Sequence, residues 1–375
     1  MKIAHIHRSM GTGGIEAMIC GLSNEMVKKH DVTVCTIVKP SLKDKFYNEL
    51  SPAVHRETIG RVGEGRPFRE IVKIAQFVKK GQFDIVHIHC FFYFFVLAIL
   101  LYHRKVSFCY TVHSDAFKEN RSWDEKILFF KKYCFKHGWI NPITISPASQ
   151  SSFRKLYGCD SALIPNGVVR PIPDPHVTVN QYKITDQTNI FVHAARICPE
   201  KNQVMLCRVF DRLIREGEDV VLLIAGPVHW HDIFDEMQTF FSDRVLYIGD
   251  CSNIPELLCS TDGMCLTSFY EGFPIILLEA VAAGCIPICT AVGGIVDIVK
   301  EGIEGFLANE VSDESYYRAM KRYLSLSKDA KIRMKNNCLA KSKDYTIEHC
   351  AQEYIAYYES MRLTNNHHSG SSKLH

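Results

Sequence analysis

The sequence predicts an α/β chain of two halves, each a parallel sheet built from strand–helix–strand units. Three observations carry that prediction. Short apolar runs alternate with longer stretches of helical periodicity from end to end, the pattern of parallel sheets covered by crossover helices. A proline-rich stretch at 169–176, Val-Arg-Pro-Ile-Pro-Asp-Pro-His, breaks the alternation near the middle, where neither a helix nor a sheet interior tolerates it. The length fits two globular domains: 375 residues, 47% hydrophobic and 23% charged.

Strands are expected at 3–7, 32–38, 85–89, 106–111 and 143–145 in the first half, and at 190–194, 220–225, 245–248, 263–266 and 286–289 in the second. Residues 1–168 make the first domain, 169–188 the linker and 189–345 the second domain. Two such halves imply a cleft, with strand C-termini from both sides facing a ligand. Ser146-Pro-Ala-Ser149 reads as a strand end opening a helix, and Pro165-Asn-Gly167 as a turn before the linker. Apolar residues at Ile347, Ala351, Tyr354, Tyr358 and Met361 line one stripe of a terminal helix, expected over 346–363. The polar stretch 364–375 is expected to be a flexible tail. The longest apolar run, 91–102, is too short for the roughly 20 residues a spanning helix needs, and is read as a helix covering the first sheet. The chain opens directly on a strand pattern, so no signal peptide is expected and the expected location is cytoplasmic.

A net charge of +3 does not call for a nucleic-acid partner, and none is expected. The 15 cysteines are spread singly, without a Cys-x-x-Cys pair, and read as small buried hydrophobes in a reducing compartment. No Cys/His spacing suits zinc, so no metal is expected. His5, His7, His87 and His89 fall on strands and read as packing residues, with His7 the first exception to consider.

Chemistry concentrates in Glu271-Gly-Phe-Pro-Ile-Ile-Leu-Leu-Glu279. Pro274 suits the first position of a helix, whose free N–H groups form an anion site. Glu271 then sits on the loop feeding that site, and Glu279 about one and a half turns inside the helix. Alone, two such glutamates are most often a solvated loop residue and an ordinary helix residue. Upstream, Ala195-Arg196-Ile-Cys-Pro-Glu-Lys201-Asn202 follows a strand and places two cations where they can hold a diphosphate. Gly11-Thr-Gly13-Gly14-Ile-Glu16 follows the first strand and opens a helix. Its dinucleotide fingerprint is broken, because Glu16 stands where the third glycine belongs, which removes the main support for a dehydrogenase. Thr111-Val-His113-Ser-Asp115 ends another strand.

Taken in order, these strings resemble the glycosyltransferases of family 4. Glu271 to Glu279 is similar to that family's E-x7-E segment, and Arg196 and Lys201 to its diphosphate clamp, with Ala195 in place of the usual glycine. The Gly13–Gly14 turn, His113, Ser146, Pro165-Asn166-Gly167 and Gly293-Gly294 follow at matching places, although Asp297 stands where the family often has Glu. The resemblance implies a GT-B fold of two Rossmann-like domains, with the terminal helix crossing back to the first. It implies a retaining, metal-independent transfer of a sugar from a nucleotide-sugar donor, UDP-linked, to a saccharide or polyprenyl-linked acceptor, with no cofactor. Under it Glu279 binds the ribose, while Glu271 and the amides of Phe273, Ile275 and Ile276 hold the sugar and phosphate. Pro274 lacks an amide to contribute. Arg196 and Lys201 clamp the diphosphate, Gly13 and Gly14 line the donor–acceptor cleft, and His113 lies beside the reacting sugar. No Asp-x-Asp pair occurs in the chain, in keeping with a metal-free route. Two readings stand beside this one: a nucleotide-sugar epimerase of the same fold, which would act on donor alone, and a binding protein that does not turn the sugar over.

One last stretch concerns the membrane. Between 104 and 136 there are eight Lys/Arg (104, 105, 118, 121, 126, 131, 132, 136) against four Asp/Glu, with Phe117, Trp123, Phe129, Phe130 and Tyr133 interleaved. Such a surface can rest on anionic lipid without a spanning helix, and peripheral contact with the membrane is the expectation.

Overall fold

The computed structural model describes residues 1–63, 67–90, 92–119 and 125–370, with side chains to 362. It forms two compact units, Met1–Gly167 with Ile347–His375, and Val168–Thr346. The first unit carries β1 (Lys2–His7), β2 (Asp31–Val38), β3 (His55–Arg61), β4 (Ile85–Ile88), β5 (Ser107–Val112), β6 (Asn141–Thr144) and β7 (Ala162–Leu163) in the order β3-β2-β1-β4-β5-β6-β7. The second carries β8 (Asn189–Ala194), β9 (Val220–Ala225), β10 (Val245–Gly249), β11 (Gly263–Leu266), β12 (Ile286–Thr290) and β13 (Phe306–Ala308) in the order β10-β9-β8-β11-β12-β13. Neighbouring strands are parallel, as between β1 and β4 or β8 and β9. Helices cover both faces, which is why a strand such as β9, Val-Val-Leu-Leu-Ile-Ala, is buried along its whole length. In each sheet the winding direction reverses once, between β1 and β4 and between β8 and β11. Crevices at the carboxyl ends of strands open at such reversals.

The ten strands expected from the sequence are all present, and the structure adds three. The β3 strand is a sheet edge whose first four residues are exposed, so it never reads as an apolar run. β7 and β13 are only two and three residues long. In the run 91–102, Phe91 lies outside the described residues. A 3-10 turn, Phe92–Phe95, drives three phenylalanines into the core before the short helix Val96–Tyr102. The segment read as a linker, 169–188, belongs to the second unit, where Ser260 Oγ donates to the Val177 carbonyl at 2.9 Å. The terminal helix runs Ile347–Gly370, past the expected end at 363, and residues 371–375 lie outside the described residues.

One face of the first sheet is unusual. Side chains alternate along a strand, and His5 pairs in register with His87, which pairs with Cys109. His5, His7, His87, His89, Cys109, Thr111 and His113 therefore share a face, and the apolar stripe of the terminal helix lies on it. Tyr358 OH and His87 Nδ1 are 2.6 Å apart, His87 Nε2 and Thr111 Oγ1 2.7 Å, and Cys109 Sγ approaches Met361 Sδ at 3.8 Å. A hydroxyl both donates and accepts, so Tyr358 and Thr111 satisfy either tautomer of His87. Burial, with the neighbouring histidines, pushes the His87 pKa well below its ordinary value, so the ring is neutral. Tyr358→Phe keeps the packing but strands a buried ring nitrogen, which costs about 1–3 kcal/mol. Urea unfolding should show that loss at unchanged m-value; an unchanged midpoint would mean the bond does not hold the helix.

Candidate functional site

Three loops meet at the carboxyl end of the second sheet, around the reversal between β8 and β11. The loop after β8 passes through a 3-10 turn, Pro199–Lys201, to Asn202, which takes a left-handed backbone (φ +54) and opens the helix Gln203–Arg215. Asparagine is among the few non-glycine residues that adopt this conformation readily. The loop after β11 is sewn to it. Thr267 Oγ1 donates to the Lys201 and Asn202 carbonyls at 2.9 and 3.1 Å, and the Phe269 amide donates to the Glu200 carbonyl at 2.9 Å. These bonds carry Lys201 Nζ to within 2.6 Å of Glu271 Oε1, and Ser268 Oγ donates to the same oxygen at 2.6 Å. Glu271 is only 8% exposed, so its charge needs both partners. The sequence put both residues in one site but gave no sign that they pair. Seventy residues separate them, and only the register of β8 beside β11 brings them together.

The loop after β12 presses on the same segment. Thr290 Oγ1 donates to the Ser268 carbonyl at 2.7 Å, and the Gly294 amide to the Gly272 carbonyl at 2.9 Å. A Cβ on Gly293 would lie 1.8 Å from the Glu271 carbonyl oxygen, and one on Gly294 would lie 2.2 Å from that of Gly272. Gly293 also has a left-handed backbone (φ +55). The sequence placed this pair only through the family resemblance; its role as the wall behind Glu271 appears in three dimensions.

The helix that follows is Ile275–Ala283. Pro274 is not its first residue, as the sequence suggested, but its N-cap, with an extended backbone (ψ 121). Its carbonyl accepts from the Leu277 and Leu278 amides at 3.1 and 3.3 Å, leaving the Ile275 and Ile276 amides without an acceptor inside the helix. Glu279 lies half-buried in the second turn. Phe273 is buried edge-on against Tyr345, ring centroids 5.6 Å apart. The Arg196 side chain is exposed, while its carbonyl accepts from Gln203 Nε2 at 2.8 Å. Asp297 sits behind Gly294 with one carboxylate oxygen buried and unpartnered among the described residues, and burial raises its pKa.

In the first unit, Gly13 caps the helix Gly14–Met26, its carbonyl accepting from the Ala17 amide at 3.0 Å. Glu16 folds back over Gly13, with Oε1 3.6 Å from His7 Nε2. The glutamate that broke the dinucleotide fingerprint thus contacts the end of β1. His113 follows β5, partly exposed, with Nε2 3.1 Å from His89 Nδ1. The sequence treated His5, His87 and His89 as separate packing residues. The repeated His-x-His of β1 and β4, read with strand alternation, was the signal that joins them.

The basic, aromatic stretch needs one correction. Lys131 is not a surface cation: its side chain is fully buried, with Nζ 3.9 Å from the Tyr110 ring centroid and 3.4 Å from Glu119 Oε1. Burial pulls its pKa down to about 8, with Glu119 opposing. Phe130 is half-buried, and Arg121 and Trp123 lie outside the described residues. Phe117, Phe129 and Tyr133 are exposed, as are Arg104, Lys105, Lys118, Lys126 and Lys136, and Leu100 and Leu101 of the neighbouring helix. No helix among the described residues is long and apolar enough to cross a membrane.

Comparison with known proteins gives the family. Residues 12–169 match the model described as Glycosyltransferase Family 4, and residues 177–338 the model described as Glycosyl transferases group 1. The chain is a glycosyltransferase of family 4. Among its relatives is the N-acetyl-alpha-D-glucosaminyl L-malate synthase of Bacillus anthracis, 28% identical over 193 residues, spanning 50% of this chain and 49% of that protein. The UDP-Gal:alpha-D-GlcNAc-diphosphoundecaprenol alpha-1,3-galactosyltransferase of Escherichia coli is 23% identical over 68% of this chain and 70% of that one. Anabaena Alr3699/HepE, solved in complex with UDP and glucose, superposes with a TM-score of 0.76 over 96% of this chain and all of that one, at 18% identity. That last likeness is one of fold, and it makes this family 4 enzyme an α/β protein of GT-B type.

The wall behind Glu271 gives a test within this glycosyltransferase. Gly293→Ala must both hold a left-handed backbone and displace the Glu271 carbonyl, which costs about 1–3 kcal/mol. Chemical denaturation should register that loss, whereas a midpoint equal to wild type would mean the loop after β12 does not brace the site.

Proposed function

We propose that this glycosyltransferase takes its sugar from a UDP-sugar, with retention and without a metal, and passes it to a lipid-linked saccharide of a surface polysaccharide. The observation that carries the donor side is the Lys201–Glu271 pair, set in the same segment as the bare amides of Ile275 and Ile276. As the glycosidic bond breaks, charge gathers on the departing diphosphate. Lys201 spends one of its three N–H groups on Glu271 and keeps the others for phosphate oxygens. Arg196, with its side chain in solvent, supplies a second cation. The two amides add fixed donors that need no reorganisation. Glu271 Oε1 is taken by Lys201 and Ser268, so Oε2 is the oxygen offered to the sugar. Glu279 is assigned to the ribose hydroxyls and Phe273 to packing beside them. The same resemblance gives His113, Gly13 and Gly14 to the reacting sugar and the acceptor.

A UDP donor is supported by two similar proteins: the E. coli galactosyltransferase, whose name includes UDP-Gal, and Alr3699/HepE, which was crystallised with UDP. The acceptor class follows the diphosphoundecaprenol in that same name. The absence of Asp-x-Asp from the sequence supports the metal-free route.

Glu279→Ala removes a hydrogen bond to a charged group, worth roughly 1.5–3 kcal/mol, and should weaken UDP binding about 10- to 100-fold by calorimetry. Arg196→Ala should leave folding intact and lower turnover on the order of 100- to 1,000-fold, in EDTA as in its absence. Unchanged UDP affinity in the first variant removes Glu279 from the site. Near-normal kcat in the second, or loss of wild-type activity in EDTA, refutes the fixed-cation mechanism.

The exposed cations and aromatics around Phe129 and Tyr133 support peripheral attachment of the first unit to the cytoplasmic face of a membrane, each near-surface cation adding about 1 kcal/mol. Co-sedimentation with anionic vesicles should fall at high salt and be weak with neutral ones. Equal binding to both, or none, would discard the membrane surface.

A further inference from the structure

The first unit holds a chain of imidazoles that runs from its interior to His113. His5 Nδ1 lies 3.1 Å from His89 Nε2, and His89 Nδ1 lies 3.1 Å from His113 Nε2. Successive rings are tilted by 33° and 31°, with centroids 5.4 and 5.3 Å apart. His5 and His89 are buried, and His113 is partly exposed. The far end, His5 Nε2, is buried with no hydrogen-bond partner among the described residues.

A neutral imidazole carries one N–H and one lone pair. Each link needs one N–H between its two nitrogens, and each link joins an Nδ1 to an Nε2. If His5 Nδ1 donates to His89, then His89 Nε2 is an acceptor, its proton is on Nδ1, and His113 Nε2 accepts in turn. If His113 Nε2 donates instead, the proton of every ring sits on Nε2. A mixture breaks a link and leaves two buried lone pairs or two buried protons facing each other. A charged ring is costly here, because burial lowers the pKa of His5 and His113 to about 3 and that of His89 well below its ordinary value.

We propose that His5, His89 and His113 form one tautomeric unit, in which the two buried rings are positioning residues that set whether His113 presents an N–H or a lone pair at Nδ1. No other assignment of three neutral protons satisfies both links. A ligand oxygen that accepts from His113 Nδ1 drives all three rings to the Nδ1–H form. The identity of that ligand rests on the proposed function; the coupling of the rings does not.

The nearby grouping of His5, His87 and His89, whose nitrogens lie within 4.8 Å of one another, could also be read as a metal site. His87 speaks against that reading, since both its nitrogens are within hydrogen-bond distance of hydroxyls, Tyr358 and Thr111. Long-range proton–nitrogen NMR on the full chain labelled with 15N-histidine distinguishes Nδ1–H, Nε2–H, charged and metal-bound rings, with signals assigned by single substitution. The proposal expects His5, His89 and His113 neutral at pH 7 and all in the same tautomer. It also expects His89→Phe to release His113 into exchange-averaged shifts while a far-UV spectrum stays native. If that variant does not fold, His5→Phe should still change the His89 and His113 nitrogen shifts. Different tautomers among the three wild-type rings, a charged ring, or an equivalent of zinc in the purified protein with metal-shifted His5 would overturn it.

Discussion

The second unit of this enzyme depends on one ion pair. Lys201 and Glu271 meet at 2.6 Å in a place where neither charge is well hydrated. Removing one partner of a buried pair strands the other, at a cost of roughly 3–5 kcal/mol. Around this pair, hydrogen bonds from Thr267, Ser268 and Thr290 and the close approach of Gly293 and Gly294 fix three loops to one another. The sheet decides where this happens. Loops after β8 and β11 leave adjacent strands at the point where the winding reverses, so Lys201 donates to the carboxylate of a residue seventy positions away. A cation held by a neighbouring carboxylate keeps its place whether or not a phosphate is present. That is the pre-organisation a leaving diphosphate needs.

The first unit solves a different problem by different means. It buries a polar face in which imidazoles and hydroxyls meet one another. His87 lies within hydrogen-bond distance of the Tyr358 and Thr111 hydroxyls, and His5 within that of His89. The terminal helix covers this face with the stripe that contains Tyr354 and Tyr358, and both hydroxyls reach the histidine layer or its Thr111 neighbour. On the opposite face of the sheet, Lys131 is the one buried Lys or Arg among the described residues of this unit. It sits over the Tyr110 ring with Glu119 beside it, and these two partners offset the burial that lowers its pKa.

What the sequence made legible was whatever has a local period or a local motif. Strands that are apolar throughout, such as β9, and the stripe of the terminal helix could be read directly, and Glu271 to Glu279 stood out by composition. β3 escaped because an exposed edge strand has no apolar signature, and β13 because three residues are too few for a period. Pro274 was read one position too late, since proline suits both the cap and the first turn, and only its extended backbone decides between them. The Lys201–Glu271 pair and the histidine row depend on register between strands, which one sequence does not display. Lys131 looked like its neighbours along the chain and differs from them only in pointing inward.

The central question is where a nucleotide diphosphate binds. A crystal structure of the full chain with UDP measures that directly. The diphosphate is expected against Lys201 Nζ and the Ile275 and Ile276 amides, the ribose on Glu279, and the Lys201–Glu271 bond still made. A diphosphate held elsewhere, or Lys201 swung away from Glu271 to reach it, would contradict the claim that the pair is the fixed element of the site.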